Sequence, residues 1–526
     1  MDRDRRALRR VAAAAVPVAF LAVFFAWPLA AILERSLVVD GAVDLPLDVL
    51  RAGTTREIAW FTLWQASLST VLTLAAGLPL AWALARFRFR GRSLVEALVL
   101  VPFVLPTLVV ATAFIALLPG GLERSLWAIL LAHVFFNVAV VVRVVGAFWA
   151  GLDARLLDVA ATLGASPRER LRYVTLPLLA PALASAASIV FLFCFTSFGV
   201  IVVLGGIRYA TLETEIYNQA ARLFDLRTAA ALALVQLAAV ALTVIVAGRL
   251  ERRLGARLQR GRPPARPTGR ERALVRIVAT VSLAFLALPP GALVLRSLRV
   301  GDGYGLDHFR ALAEETPALL VAPWQAIANS LVFAAGATAV ALAIGVPAAV
   351  AVARGRGGLD ALLMLPLGAS AAMLGFGFLL AFDAPPLELR SSAILVPIAQ
   401  ALVAIPFVVR ALAPALRAVD PRLREAAAML GAAPRQVHRL VDLPLLARPL
   451  AVATGLAFAV ALGEFGATVF VSRADRPTVP VAIFRFLGRP GAENVGTAAA
   501  LCVVLAALVA AVALLSERAV VGRSAR

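Results

Sequence analysis

Lysine is absent from this chain of 526 residues, and cysteine, histidine and charge are all scarce. Its 51 basic residues are therefore all arginines. Because the phosphate-binding loop of nucleotide hydrolases needs a lysine, a standard nucleotide-hydrolysis site of that kind is excluded. The two cysteines, Cys194 and Cys502, both lie in apolar segments, so we expect neither a disulfide framework nor a metal cluster.

The shortage of charge is matched by an excess of apolar residues. Only 16% of the residues are charged, whereas 61% are hydrophobic and the mean hydropathy is +0.90. Soluble domains are ordinarily about half apolar. The apolar residues also form blocks of roughly 20, which is the length needed to cross the hydrocarbon core of a bilayer. The sequence therefore predicts an all-α, polytopic membrane protein.

About twelve transmembrane helices are predicted, six in each half of the chain. The basic N-terminus followed by an apolar run resembles a signal peptide, but the many later spans favour an uncleaved first helix. The predicted spans are 11–33, 58–85, 93–118, 125–150, 178–205, 227–248, 275–297, 325–353, 359–383, 392–415, 446–471 and 496–516.

The net charge of +20 comes from arginines that cluster in short segments between alternate spans. This pattern is typical of cytoplasmic loops, so both termini are expected on the cytoplasmic side. Nucleic-acid binding is not expected, because no soluble domain carries the arginines. We expect the chain to contact membrane lipid and not nucleic acid.

One polar segment occurs twice. Residues 153–180 align with residues 420–447 at a constant offset of 267, and 17 of the 28 positions are identical. Flanking positions match at the same or nearly the same offset, among them Arg143 with Arg410 and Ser197 with Glu464. Because each half has an even number of spans, the halves are predicted to be parallel repeats, with a substrate path between them.

The repeat divides the chain into three parts. The first half is 1–250, with its polar loop at 153–177, and the second half is 275–526, with its polar loop at 420–444. The basic, proline-interrupted segment 251–274 is predicted to be a cytoplasmic linker.

Local chemistry predicts two short helices in each polar loop. Asp153 and Asp420 are suitable N-caps, and Gly164 and Gly431 suit the left-handed position after a helix. The segment 166–169 reads as a capping box, whereas 433–436 lacks the capping hydroxyl. A rigid, exposed helix pair suits docking into a groove on another protein; the alternative is a plain surface connector.

The second loop resembles the "EAA" loop of bacterial ABC importer permeases. The pattern is Glu425-Ala426-Ala427-x-x-x-Gly431, followed by Leu443-Pro444. The first copy reads Asp158-Val159-Ala160-x-x-x-Gly164, followed by Leu176-Pro177, and departs from the family at Asp for Glu and Val for Ala.

The resemblance implies a type I ABC importer permease-like fold in the bacterial cell membrane. It also implies that the loops dock onto two copies of a separate ATPase subunit, and that an extracytoplasmic binding protein delivers the solute. The coupling residues so implied are Asp158, Ala160, Ala161, Gly164, Pro167, Leu176, Pro177, Glu425, Ala426, Ala427, Gly431, Pro434, Leu443 and Pro444.

Permeases with both halves in one chain are a minority of that family, found among importers of thiamine, ferric iron and some other small solutes. Segments 61–66, 131–137, 194–199, 211–217 and 463–466 are most similar to permeases for thiamine and its pyrophosphate. The resemblance thus implies thiamine or its phosphates, with ferric iron or another small ion as the alternative. An ion-coupled secondary transporter would need paired acidic residues within the spans, and it leaves the repeated loops unexplained.

A few polar residues inside the spans are candidates for the solute path. Glu464 is an ionisable residue at membrane depth, a position that is costly and is functional by default. We expect it either to help a cationic solute or to bond a neighbouring helix. Ser197 is its equivalent in the first half, and His133 and Asn137 suit the path or interhelical hydrogen bonding.

Two further expectations complete the sequence-based picture. Glu213, Glu215 and Tyr217 are predicted in an outer loop, where they would meet a binding protein or remain solvated. No nucleophile–base pair or metal-ligand spacing appears in the spans, so the chain is expected to be a transport subunit with no cofactor, not an enzyme.

Overall fold

The computed structural model describes residues 15–39, 41–206, 208–254, 264–355 and 357–521, and these are mostly helical. Two small hairpins are also present, and each follows the first helix of a half. Strand β1, Val38–Val39, pairs antiparallel with β2, Ala42–Val43, and β3, Arg299–Val300, pairs with β4, Gly303–Tyr304.

The first half has seven principal helices, α1–α7. The second half has seven counterparts in the same order, α8–α14. In the first half these are α1 Ala15–Leu37, α2 Gly53–Arg86, α3 Arg92–Val104, α4 Thr107–Leu117, α5 Leu126–Ala150, α6 Pro167–Phe195 and α7 Leu226–Leu254. In the second half they are α8 Gly269–Leu298, α9 Pro323–Ala353, α10 Gly357–Gly368, α11 Ala371–Ala381, α12 Leu395–Ala418, α13 Arg435–Gly463 and α14 Ala492–Val521.

Shorter helices lie between these. They are Leu47–Arg51, Ala154–Thr162, Gly199–Leu204, Leu212–Tyr217, Asp307–Arg310, Pro421–Met429, Thr468–Val471 and Val479–Leu487. A turn of π-helix, Asn218–Arg222, extends the fourth of them, and a 3-10 turn, Ala311–Ala313, extends the fifth.

The described residues include 10 helices long and apolar enough to cross a membrane, or up to 11 if α3 and α4 form one broken span. The predicted spans 93–118 and 359–383 are therefore not continuous helices. Helices α3 and α4 meet at 110°. Pro106 causes this break, because a proline pushes the preceding residue out of the helical region and Leu105 has ψ 135°. In the second half, the Ser370 hydroxyl caps α11 by accepting the Met373 N–H at 3.0 Å.

Equivalent helix pairs cross at equivalent glycines. A Cβ built on Gly77 of α2 would lie 2.7 Å from the Cβ of Val141 on α5. A Cβ built on Gly345 of α9 would lie 2.8 Å from Cγ1 of Val408 on α12. Both crossings need a residue without a side chain. The internal repeat of the sequence is thus also a repeat of packing.

A second feature repeated in both halves is a hydrogen bond between a span and a short helix. The short helix follows the fifth predicted span of each half. The Thr62 hydroxyl accepts the backbone N–H of Leu212 at 3.0 Å. In the other half, the Ser330 hydroxyl accepts the backbone N–H of Val479 at 2.8 Å. Each hydroxyl satisfies one of the donors left free at a helix start.

The chain forms two compact units. Each unit consists mostly of one half of the sequence but contains the first helix of the other half. One unit comprises Leu47–Glu215 and Val235–Arg299, so it includes α8. There α8 packs against α2, α3 and α4, and Phe285 stands edge-on to Phe135 at 6.0 Å.

The other unit comprises Met1–Pro46, Ile216–Leu234 and Val300–Arg526, so it includes α1. Here Pro28 fits against Gly377 of α11, where an added Cβ would lie 2.9 Å away. Phe24 and Trp27 pack their rings on Phe382 at 5.6 and 5.4 Å. The division of the chain into halves, drawn from the repeat, stays a prediction; the compact units follow other boundaries.

The end of the predicted linker is attached to the first half. Ala265 donates its N–H to the Arg86 carbonyl at 2.9 Å and accepts the Arg88 N–H at 2.8 Å, forming a parallel bridge opposite Phe87. Phe87 packs with Ala83 and with Val275 of α8. Residues 255–263 of the linker lie outside the described residues.

Candidate coupling loops and buried polar clusters

The first helix of each polar loop begins at the predicted cap. Asp153 Oδ1 accepts the Arg155 N–H at 2.9 Å, and Asp420 Oδ1 accepts the Arg422 N–H at 2.9 Å. The helices that follow, Ala154–Thr162 and Pro421–Met429, have the same length. Both N-cap predictions are confirmed.

Both helices end at the predicted glycine. Gly164 has φ +86° and Gly431 has φ +82°, in the left-handed region where glycine is unstrained. In the first loop the Gly164 N–H donates to the Ala161 carbonyl and the Ala165 N–H to the Ala160 carbonyl, both at 3.0 Å. The second loop repeats this pair of bonds on Ala428 and Ala427, both at 3.0 Å. This double closure is the Schellman motif.

The next helix starts with the predicted capping box in the first loop and half of it in the second. Ser166 donates its N–H to Glu169 Oε2 at 2.8 Å, and its hydroxyl accepts the Glu169 N–H at 3.3 Å. In the second loop only the Ala433 N–H to Gln436 Oε1 bond, at 2.7 Å, is present. The first loop is therefore the better capped at this point.

The chain stays helical between each polar loop and the next span. Within α6 and α13, one turn of π-helix, Leu171–Thr175 or His438–Asp442, joins the loop residues to the apolar part of the helix. In the first loop the Leu176 N–H reaches back five residues to the Leu171 carbonyl. The wider turn admits Pro177, which has no N–H to donate, so the helix does not stop there.

Apolar side chains at equivalent positions of the two loops are exposed. Leu163 is 82% exposed and Leu430 is 89% exposed, and each directly precedes the left-handed glycine. Tyr173 and its counterpart Leu440 are also exposed. Exposed apolar groups repeated in this way are typical of an interaction surface. Both copies of the segment read Leu-Gly-Ala, but the coupling residues named from sequence did not include the two leucines.

The other coupling candidates lie on the same two segments. Asp158 and Glu425 occupy equivalent, exposed positions in the first helix of each loop. Leu176 and Leu443 are exposed in the first turn after the π-helix. In the second loop an ion pair joins the two ends: Arg424 Nε lies 2.7 Å from Asp442 Oδ1. The first loop has Leu157 and Thr175 at these two positions.

In the unit that contains α2, α5 and α6, three path candidates come together around one ring. His133 Nδ1 lies 3.0 Å from the Ser69 hydroxyl, and His133 Nε2 lies 2.9 Å from the Ser197 hydroxyl. The Asn137 amide donates to the His133 carbonyl at 3.0 Å. Ser69 was not predicted, because serines inside helices commonly bond their own backbone, as Thr70 and Thr73 do here.

This histidine cluster, defined as Gln65, Ser69, His133, Asn137 and Ser197, is buried apart from Ser197, which is half-buried. Gln65 also donates its amide to the Cys194 carbonyl at 3.1 Å, so the cluster holds α2 to α6. Among the described residues, neither the Gln65 Oε1 nor the Asn137 Oδ1 accepts a hydrogen bond.

Glu464 lies in the other unit, at the point where α13 ends. Its carboxylate accepts the Ala467 N–H at 2.7 Å, the Thr468 N–H at 3.0 Å and the Thr468 hydroxyl. The side chain is only 7% exposed. Glu464 therefore caps the short helix Thr468–Val471 from within its own turn, an arrangement that neither sequence-based expectation included.

The outer-loop expectation fails for Glu213. This carboxylate is fully buried, and its Oε1 accepts the Gln236 amide at 2.8 Å. Tyr217, four residues further on, packs its ring edge-on to Phe470 at 5.5 Å and Phe484 at 5.9 Å. The segment reads as polar in sequence but folds as a packed helix, Leu212–Tyr217, so its acids do not all face outward.

Repeated bundles of membrane-length helices, matching exposed loops and buried polar groups where spans break define a multi-pass membrane transport protein. Residues 77–258 match the family described as the inner membrane component of binding-protein-dependent transport systems. Relatives named as transport permeases align over most of its length, so the chain is similar to ABC importer permeases, which are transport subunits. The fold and family predictions are thereby confirmed.

Several of the relatives are named thiamine transport system permease proteins. That of Brucella suis biovar 1 is 29% identical over 500 residues, covering 89% of this chain and 88% of the relative. That of Escherichia coli K12 is 28% identical over 459 residues, covering 82% and 83%. A probable ABC transporter permease of Sinorhizobium fredii is 27% identical over 541 residues, covering 95% of each chain.

Proposed function

We propose that this permease imports thiamine or its phosphates, driven by two copies of a separate ATPase and supplied by an extracytoplasmic binding protein. The relatives named thiamine permeases, which align over most of the chain, support the solute. The observation that carries the mechanism is the pair of loops that fold alike and expose Leu163 and Leu430 at the same point.

The polar loops lie on the cytoplasmic side in this proposal, together with both termini. Its support is the concentration of arginines in alternate segments between spans. The ATPase therefore meets the loops 153–177 and 420–444, while the binding protein meets the opposite face.

Each loop is joined to a buried polar site by a single helix. Helix α6 runs unbroken from Pro167 to Phe195, and at about 1.5 Å per residue its 29 residues span roughly 43 Å. Ser197, two residues beyond its end, bonds His133. In the same way α13 begins in the second loop and ends next to Glu464. A displacement of either loop is thus carried along a helix to a polar site.

The candidates for the solute path occur in both halves of the sequence. The histidine cluster supplies two oxygens, Gln65 Oε1 and Asn137 Oδ1, that accept no hydrogen bond among the described residues. Glu464 supplies the negative charge that a cationic solute needs. Because Glu464 also caps its own turn, loss of transport in a Glu464→Gln variant does not separate solute contact from folding. A role of Glu464 in the solute path would be shown by a variant that changes the solute preference while its stability stays that of the wild type.

The test is uptake of labelled thiamine and labelled ferric iron by cells that lack this chain, with and without the chain restored. We expect only thiamine uptake to return. Recovery of iron uptake alone would keep the importer and replace the solute. Thiamine uptake that is the same with and without the chain would refute the thiamine assignment.

The docking surface is tested in the same cells with Leu163→Asp and Leu430→Asp together. Both side chains are exposed, so the fold is expected to survive while uptake and co-purification of the ATPase are lost. Leu320→Asp is the matched control, because Leu320 is 75% exposed in a segment outside the loops. Unchanged ATPase co-purification in the double variant would contradict docking through these residues.

A further inference from the structure

A cavity of about 430 Å³ opens beside the arginine-rich end of the first half. Its walls come from the last turns of α2, the first turns of α3 and the C-terminal part of α5, and Pro264 from the linker closes one edge. Helix α2 ends at Arg86 and α3 begins at Arg92, so the cavity lies at the level where these spans leave the bilayer. Trp82, which packs edge-on to Phe87 at 5.0 Å near the end of α2, is a residue type enriched at that level.

Two guanidinium groups line the cavity. Arg92 already makes two contacts within the protein. Its Nε lies 2.8 Å from Glu96 Oε1, and its NH1 donates to the Phe87 carbonyl at 2.9 Å. Arg143 is exposed and has no hydrogen bond or ion pair within the described part of the chain. One positive charge therefore remains unbalanced, and a long arginine side chain reaches readily toward a phosphate.

The remaining wall is apolar. Val99 and Leu100 of α3 and Leu84 of α2 line the side that leads into the hydrocarbon region. A ligand that fits this arrangement carries an anion at one end and an aliphatic chain at the other. A free phosphate would leave the apolar wall uncovered. The linker segment 249–263 is rich in arginine, so it does not supply the anion.

We propose that this cavity binds one anionic phospholipid, with the phosphodiester at Arg143 and Arg92 and an acyl chain along Val99 and Leu100. Basic pockets between transmembrane helices are known to hold anionic headgroups. The bound lipid would join α2, α3, α5 and the attached end of the linker, the elements that surround the cavity. This inference does not depend on the solute.

The second half offers a natural comparison. Arg410, the counterpart of Arg143, directs its Nε to Met364 Sδ at 3.2 Å, and Met364 stands where the first half has Glu96. The counterpart of Arg92 is Asp360, an acid. Arg410 is thus a matched arginine that has no arginine at the position equivalent to Arg92.

The test is native mass spectrometry of the purified full-length chain, delipidated and titrated with phosphatidylglycerol or phosphatidylcholine. We expect one phosphatidylglycerol to bind more tightly than phosphatidylcholine. Arg143→Gln should weaken that binding about tenfold, as expected for the loss of one charge-assisted hydrogen bond. Arg410→Gln and Arg90→Gln should leave it unchanged.

Ala147→Trp provides a second variant, because Ala147 is an exposed residue of the cavity wall and a large side chain there fills the space. It should also remove the tight phosphatidylglycerol while the far-ultraviolet spectrum stays that of the wild type. Equal binding of the two lipids, or equal effects of Arg143→Gln and Arg410→Gln, would overturn the proposal. Displacement of the lipid by millimolar inorganic phosphate would assign the arginines to a soluble anion.

Discussion

At the scale of single residues, two glycines set how closely the paired helices approach. Gly345 of α9 faces Val408, and an added methyl group would lie 2.8 Å from the valine side chain. We expect Gly345→Ala to destabilise the chain by about 1–3 kcal/mol, the usual cost of overpacking. The measurement is the thermal unfolding of the purified protein in detergent.

Gly336, on the same helix, is the control. A methyl group there would lie 3.5 Å from Pro397, an ordinary contact, so Gly336→Ala should be neutral or slightly stabilising through helix propensity. Adding Val408→Ala to Gly345→Ala should recover part of the loss. A Gly345→Ala protein as stable as the wild type would show that the crossing relaxes.

The histidine cluster gives a second prediction at this scale. Ser69→Ala leaves one nitrogen of the buried His133 ring without its partner, at a cost of about 1–3 kcal/mol. We expect lower stability and lower thiamine uptake per molecule. Ser67→Ala is the control, because the Ser67 hydroxyl bonds only the Leu63 carbonyl of its own helix on an exposed face. Equal uptake by the two variants would contradict a role for the cluster.

The residue types in these sites were predictable, but their partners were not. A histidine, an asparagine and a glutamate at membrane depth stand out in an apolar sequence, and the structure brings His133, Asn137 and Ser197 together. Ser69 has no such signature, since only the crossing of α2 with α5 directs it to the ring. Nor does the sequence show that Glu464 turns back onto its own segment, because a carboxylate accepts from backbone or side chain alike.

At the scale of elements, each polar loop depends on one left-handed residue. A Cβ on Gly164 or Gly431 would have open space around it, so substitution there acts through backbone strain alone. Alanine at either position should cost roughly 1–2 kcal/mol of local stability, and asparagine less. We expect faster hydrogen exchange in the peptides of the altered loop, with the other loop unchanged.

The two loops also serve as each other's control in that experiment. Gly431→Ala alters only the loop with the Arg424–Asp442 ion pair, which holds its two ends together. Gly164→Ala alters the loop that lacks it and should therefore give the larger increase in exchange. Spread of the effect to both loops would argue for global unfolding.

Caps and glycines made the loops predictable, because each acts within a few residues of itself. Breaks inside apolar runs were not predicted as such. Composition reads 93–118 as one continuous span, whereas Pro106 bends it by 110° between α3 and α4. The π-turns that carry the loops into α6 and α13 have no sequence pattern of their own.

At the scale of the whole molecule, the exchange of first helices makes each half incomplete. Helix α8, from the second half, packs against α2, α3 and α4, and α1, from the first, packs against α11. If the chain is cut within 255–263, we expect the fragments to accumulate in membranes only when they are produced together. Pulse-chase labelling measures their lifetimes.

A fragment that begins at residue 300 and so lacks α8 is the control for this prediction. Produced with the first-half fragment, it should fail to prolong that fragment's lifetime, because the exposed faces of α3 and α4 stay uncovered. A first-half fragment that is equally long-lived alone would contradict the prediction.

A transporter assembled from two identical chains carries every side chain twice. This chain has Ser197 in one half where it has Glu464 in the other, so the buried carboxylate of Glu464, with the desolvation cost that an ionised group brings, has no counterpart in the first half. A single point mutation likewise alters one half and leaves the other as it was. Gene fusion thus lets natural selection break the molecule's symmetry one residue at a time.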